Sequence, residues 1–151
     1  MILPGSTVAT RIMTAYIPCV TRKRAVTATI AQQRRYWRLQ GNRNCPRKIL
    51  CTDLIHKMKE WRNEGDTLII LLDSDEDMNG GPLARMLQHP FLDMRDAIKT
   101  RTHMEGPHTF IRGSRKIDGA WITPDIGLHA SCFLSFFFGV GDYRGIILDI
   151  P

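Results

Sequence analysis

Four carboxylates, Asp73, Asp75, Glu76 and Asp77, fall within five positions, directly after an unbroken apolar run over residues 68–72. Carboxylates at this density raise one another's energy unless a cation neutralises them, and an all-oxygen site of this kind favours Mg2+ or Mn2+. A cation held there can orient a phosphodiester, stabilise the charge developing on it and support attack by water. Asp118 and Asp142 stand at the ends of two later strand-like segments. Taken singly, each of these residues reads first as a helix cap or turn residue. The chemistry requires that Asp73, Asp75, Asp118 and Asp142 converge at one rim of a folded sheet, and that is the expectation.

The elements that must position them can be read from periodicity. Residues 68–72 have the unbroken apolar character of a strand buried on both faces, and a carboxylate at the end of such a strand sits where α/β proteins bind ligands. Residues 8–17, rich in β-branched side chains and stopped by Pro18, read as a second strand with Tyr16 at its C-terminal end. Between them, residues 27–39 are helix-like with a polar, positive face carrying Gln32, Gln33, Arg34, Arg35 and Arg38. Pro46 opens a longer helix to about Asn63, in which Leu50, Leu54, Met58 and Trp61 form one apolar stripe, and Gly65 ends it. Strand, helical crossover and strand place 8–17 and 67–72 in one sheet. Short helices are expected over 82–87, after Gly80-Gly81-Pro82, and over 91–100. Residues 109–111 and 117–123 read as a β-hairpin turning at Arg112-Gly113-Ser114, and 129–137 and 145–150 as two further strands. Trp37, Trp61 and Trp121 are expected in the core.

At 151 residues, 43% hydrophobic, the chain fits one domain over residues 1–151 with a real core. Its net charge of +6 is unevenly spread. Residues 1–65 hold 13 Lys/Arg against 3 Asp/Glu, and residues 66–151 hold 8 against 12. A basic half beside an acidic half suits a polyanion gripped by one surface and worked on at another, although a solvated basic helix gives the same count. The four cysteines contain no C-x-x-C pair and make no disulfide framework, which points to a reducing, intracellular setting. The start lacks the form of a signal peptide, and no apolar run approaches the ~20 residues that span a bilayer, so no membrane association is expected.

Most other motifs fail on their own rules. Asp73, Asp75 and Asp77 suit an EF-hand loop, but Met78 and Ala84 occupy the positions that need Gly and Glu. An apolar strand followed by Asp-x-Asp also fits a nucleotide-sugar glycosyltransferase. His103 with His108, or His129 with Cys132, lack the paired spacing of a zinc site, and no phosphate-binding G-x-x-x-x-G-K-[ST] loop occurs.

The order of short motifs adds a more specific reading. Thr14-Ala15-Tyr16-x-Pro18, the Gln32-Gln33 helix, Cys45-Pro46-Arg47, the strand ending in Asp73-Ser74-Asp75-Glu76, Arg112-Gly113-Ser114-x-x-Ile117-Asp118-Gly119-x-Trp121-x-Thr123-Pro124 and Gly141-Asp142-Tyr143-Arg144 follow one another along the chain. Together they resemble the C-terminal part of an endonuclease/exonuclease/phosphatase domain, of the kind associated with reverse-transcriptase-bearing retroelements. The resemblance implies an α/β fold, part of a four-layer α/β sandwich of mixed sheets with flanking helices, with Mg2+ or Mn2+ at the cleft. It implies that Tyr16 contacts the scissile phosphate, that Asp73 orients or deprotonates the attacking water, and that Asp118 aligns the catalytic histidine. Asp142 belongs to an aspartate–histidine pair, and Asp142 and Asp73 are the implied metal ligands. Arg22, Lys23, Arg24, Arg34, Arg35 and Arg115 are the candidate nucleic-acid contacts.

Three departures accompany the resemblance. The family's N-terminal strands carry an asparagine and a metal-binding glutamate, and this sequence is expected to start after that region. Asp75 stands where the family has asparagine. Tyr143 stands where it has histidine, and a phenol of pKa near ~10 cannot exchange protons near neutrality as imidazole does. Loss of one acid–base group typically costs ~10²–10⁴-fold. The expected function is a metal-dependent, endonuclease-like phosphodiester hydrolase acting on nucleic acid, DNA above all, truncated and of weak or no turnover. A reverse transcriptase encoded by the same element is a candidate partner and the nucleus a candidate compartment. The alternatives are a non-catalytic nucleic-acid-binding remnant and a phosphatase acting on a small phosphorylated compound.

Overall fold

The structure, a computed structural model, describes residues 8–19, 28–139 and 141–151. The basic link Arg22, Lys23 and Arg24 lies outside the described residues, as does the first position of the helix expected over 27–39. A four-stranded mixed sheet organises the rest. Strand β1 (Thr10–Tyr16) runs parallel to β2 (Thr67–Asp73), β2 pairs antiparallel with β4 (Asp118–Ile122), and β4 with the short β3 (Arg95–Asp96), giving the order β1-β2-β4-β3. Two strands, β5 (Ala130–Phe133) and β6 (Ile146–Asp149), form a separate antiparallel pair.

The unbroken apolar run of β2 is explained by burial on both sides. Leu68, Ile70 and Leu72 point to one face, where they pack with Trp121 of β4 and with Leu54, Ile55 and Met58 of helix α2 (Pro46–Asn63). Ile69 and Leu71 point the other way, against Ala120, Ile122 and the β5–β6 residues Ile146 and Leu148. The α2 stripe is as the periodicity requires: Leu54 and Met58 are buried, and Leu50 and Trp61 pack against the same cluster. Pro46 sits in the first turn, and Gly65 leaves the helix at φ +90, a left-handed backbone that glycine adopts without a Cβ penalty. Helix α1 (Thr29–Leu39) precedes α2, and α3 (Pro82–Leu87) adds Leu83, Ala84 and Leu87 to the helical side of the core. Of the three tryptophans only Trp121 is fully buried; Trp37 and Trp61 are partly exposed.

Three expected elements take another form. The segment over 91–100 divides, because Asp96 ends β3 and caps α4 (Ala97–Thr102), its carboxylate accepting from the Ile98 and Lys99 N–H groups at 3.0 and 3.1 Å. Residues 109–111 and 117–123 form no hairpin. Ala120 and Ile122 face one side of the sheet and Trp121 the other, so β4 needs cover on both faces and a strand on each flank, which a two-stranded ribbon lacks. Phe110 bridges instead to Tyr143. The strand expected over 129–137 stops at Phe133, since Ser135 starts a 3-10 turn over Phe136–Phe138. Lys116, just before β4, is wholly buried; its ammonium pairs with Asp96 and lies 5.6 Å from the Phe133 ring centroid.

Candidate active site

The strand register settles which side chains meet. Tyr16 of β1 is the partner of Asp73, and Asp73 is the partner of Asp118, so the three stand abreast across the C-terminal rim of β1 and β2. All three point to the face away from the α2 packing, as Ile69 and Leu71 do. A cleft of about 420 Å³ opens over them, lined by Tyr16, Asp73, Asp118, Gly119, Arg144 and Ile146.

Burial and like charge both act on this pair. The Asp73 carboxyl is pushed up to about 6, first by burial and then by the charges of Asp118 and Asp75, against an opposing pull from the Asp75 backbone N–H. Asp118 is raised by burial and partly held down by the Thr109 hydroxyl. Thr109 is itself fully buried, and its oxygen accepts from the Ile117 and Asp118 N–H groups at 3.0 and 3.1 Å, so it fixes the start of β4. The second carboxylate oxygen of Asp118, Oδ2, is buried without a hydrogen-bond partner. An orphaned carboxylate oxygen costs free energy unless something positive reaches it. Two acidic groups opposed across the strands, one with an unpartnered buried oxygen, fit a divalent cation.

The loop after β2 is held from several sides. The Ser74 N–H and hydroxyl both donate to the Ile117 carbonyl at 2.9 Å, which continues the β2–β4 contact beyond the last strand residue. Asp75 follows at φ 51, in the left-handed region, with the Cys19 thiol beside its carboxylate. Arg47, in the first turn of α2, donates to the Ser74 carbonyl and to Glu76, each at 2.7 Å, and to the Pro18 carbonyl at 3.4 Å. Glu76 in turn accepts from the Leu83 N–H at the start of α3. One guanidinium thus ties the ends of β1 and β2 together beside the carboxylates.

Tyr143 and Arg144 reach the rim from the far end of the chain. The Tyr143 hydroxyl is pushed above its ordinary value by burial and then by the charges of Asp73, Asp118, Tyr16 and Asp75. Asp142 adjoins it in sequence, but its carboxylate meets the Arg112 guanidinium at 2.6 Å. Arg144 lines the cleft and donates to the His108 and Leu134 carbonyls at 3.0 and 3.1 Å. Arg34 and Arg35 lie exposed on α1, with Arg34 beside Cys45 at the α2 N-terminus. Arg115 is exposed and its charge is felt at Cys19, next to Asp75.

The structure therefore brings Tyr16, Asp73 and Asp118 together under one cleft, sets Asp75 and Tyr143 near enough to interact electrostatically with them, and turns the carboxylate of Asp142 toward Arg112. Among the described residues no group of three His, Cys, Asp or Glu side chains is gathered as a ready cation site. Sequence reasoning missed Thr109, Arg47 and Arg144 as positioning groups. Arg144 and Arg47 stood inside quoted motifs, whereas nothing in the sequence marks Thr109. The fold and site define a mixed α/β protein with a paired-carboxylate cleft at the rim of its sheet. The chain matches no protein-family model and no curated protein. Among the described residues no helix is long and apolar enough to cross a membrane.

Proposed function

We propose that the chain is a metal-dependent phosphodiester hydrolase domain of the endonuclease/exonuclease/phosphatase type, acting on nucleic acid, with DNA as the substrate. The observation that carries this reading is the Asp73–Asp118 pair with its orphaned Oδ2 under an open cleft. Helices on one face of the sheet and the β5–β6 pair on the other are compatible with part of a four-layer sandwich.

Asp73 and Asp118 would hold Mg2+ or Mn2+; Asp142 would have to leave Arg112 to join them. The bound ion supplies neutralisation of the two carboxylates and of charge developing on a phosphate. The protein's own groups do the rest. Asp73, at the end of β2 and lining the cleft, is the carboxylate placed to orient or deprotonate the attacking water. Arg144 presents a guanidinium to a phosphate in the cleft, and Tyr16, half exposed at the rim, presents a phenol. Tyr143, raised among carboxylates, stays protonated and can donate a hydrogen bond but not shuttle a proton, so turnover is weak.

The test is nicking of supercoiled plasmid in Mg2+ or Mn2+ beside Asp73→Ala. Metal-dependent nicking lost in the variant supports the reading; nicking that survives the substitution comes from a contaminant. The Tyr143 phenol at the rim favours a second reading, a non-catalytic nucleic-acid-binding remnant. Salt-sensitive DNA binding without any nicking in either metal would select it.

A further inference from the structure

We propose that the Phe136–Phe138 turn is a base-stacking platform, so that the substrate is nucleic acid with an unpaired or unstacked base beside the phosphate in the cleft. This rests on the reading of the cleft as a phosphodiester site and specifies its substrate. The turn carries two phenylalanines that the fold does not use: Phe137 is 95% and Phe138 77% exposed. Aromatic side chains this open, side by side, mark a contact surface. Phe136 anchors the turn inward, with its ring centroid 4.1 Å from the Arg144 guanidinium carbon and 5.5 Å from the His108 ring. Arg144 is the same residue that lines the cleft with Asp73 and Asp118.

A second observation fixes the turn against the site. Gly139 lies so close to the Tyr143 carbonyl oxygen that a Cβ at that position would run into it. The Phe138 N–H donates to the Ser135 carbonyl at 2.9 Å, and the Leu134 N–H to Gly145 at 2.8 Å, closing the turn on both sides of Tyr143 and Arg144. Phe137 and Phe138 therefore project from a fixed frame joined to the cleft through one arginine.

The chemistry of the surroundings chooses the partner. Arg144 lines the cleft and stacks on Phe136 of the turn, and Arg115 is exposed, whereas Arg112 is held by Asp142. A cleft guanidinium stacked on a turn that carries solvent-facing aromatic rings matches a chain of alternating phosphates and flat bases. A lipid surface would favour the same rings without distinguishing bases.

The experiment compares the whole chain with its Phe137→Ala/Phe138→Ala double variant; both side chains are exposed, so the fold is not at stake. The probes are a single-stranded oligonucleotide carrying 2-aminopurine, an abasic oligonucleotide of equal length, and phosphatidylserine/phosphatidylcholine vesicles. The wild-type chain is expected to bind the base-bearing oligonucleotide about tenfold or more tighter than the abasic one and to change the 2-aminopurine emission. The double variant is expected to lose both the preference and the emission change while binding the abasic strand as before. Equal binding of the two strands by wild type, no binding of either, a preference that survives in the variant, or a loss confined to vesicle binding would each overturn the proposal. Hydrolysis of bis(p-nitrophenyl) phosphate by the wild-type chain tests the cleft separately. Its absence sinks the hydrolase reading and leaves the binding comparison to decide the platform.

Discussion

Asp73 and Asp118 are direct cross-strand partners of β2 and β4, two acidic side chains opposed on one face of a sheet at its rim. Like charges placed directly opposite destabilise a strand pair. The arrangement is thus a cost to the fold that a bound cation would relieve, and its consequences are measurable.

The first is a dependence of stability on pH. The folded-state pKa of Asp73 is about 6, above its ordinary 3.8, so the folded chain binds the proton more tightly than the unfolded chain does. Stability from this group therefore falls as pH rises from about 4 through 6, and is regained on acidification across the same window. Asp73→Asn removes the charge in a nearly isosteric way. Its melting temperature is expected to exceed wild type at pH 7.5, with the difference closing toward pH 4. Thermal melts of both proteins across that range check it; a variant less stable at pH 7.5 would refute the assignment.

Divalent cations are expected to act on the same pair. A ligand at about 100 times its Kd stabilises by about 2.7 kcal/mol, or roughly 5–10 °C for a chain of this size. Titrating Mn2+ or Mg2+ in thermal melts at pH 7.5 should raise the wild-type midpoint, with the response reduced or absent in Asp73→Asn and Asp118→Asn. Equal responses in all three proteins would place the cation elsewhere.

Tyr143 limits turnover on the proposed reading, so Tyr143→His is expected to increase metal-dependent nicking, by about 10²-fold or more given what a positioned acid–base group contributes. The gain should fall away with acidification from about pH 7, because the neighbouring carboxylates raise the imidazole above its ordinary ~6.5. A variant no faster than wild type at any pH would separate Tyr143 from the chemistry.

Buried charge makes a structural prediction. Lys116 pairs with Asp96 in the interior, and removing one partner of such a pair costs about 3–5 kcal/mol. Lys116→Met alone is expected to lower the melting temperature by roughly 10 °C or more. Adding Asp96→Asn, which keeps an oxygen to cap α4, should recover most of that loss. Calorimetry on the single and double variants measures the coupling.

The same pair indicates where sequence reading stops. Helix α2, strand β2 and helix α3 were legible because each carries its own signal: a stripe at helical spacing, an unbroken apolar run, and a Pro after paired glycines. The alignment of Tyr16, Asp73 and Asp118 followed from placing charges at strand ends and from the motif order. What escaped depends on partners distant in sequence. Residues 109–111 alternate like a strand, yet Phe110 finds Tyr143 rather than residues 117–123. Lys116 reads as a surface charge until Asp96, 20 positions away, is brought beneath it. Asp142 reads as a ligand until Arg112 folds against it.

Position 75 has a backbone at φ 51, a conformation that L-residues other than asparagine and aspartate seldom tolerate. Besides glycine, the main chain therefore favours aspartate and asparagine here, near-identical shapes that differ in one terminal atom and one unit of charge. A swap between them leaves the turn undisturbed and the Cys19 thiol still facing an acceptor oxygen. One substitution can thus change the charge beside the cleft without changing the fold.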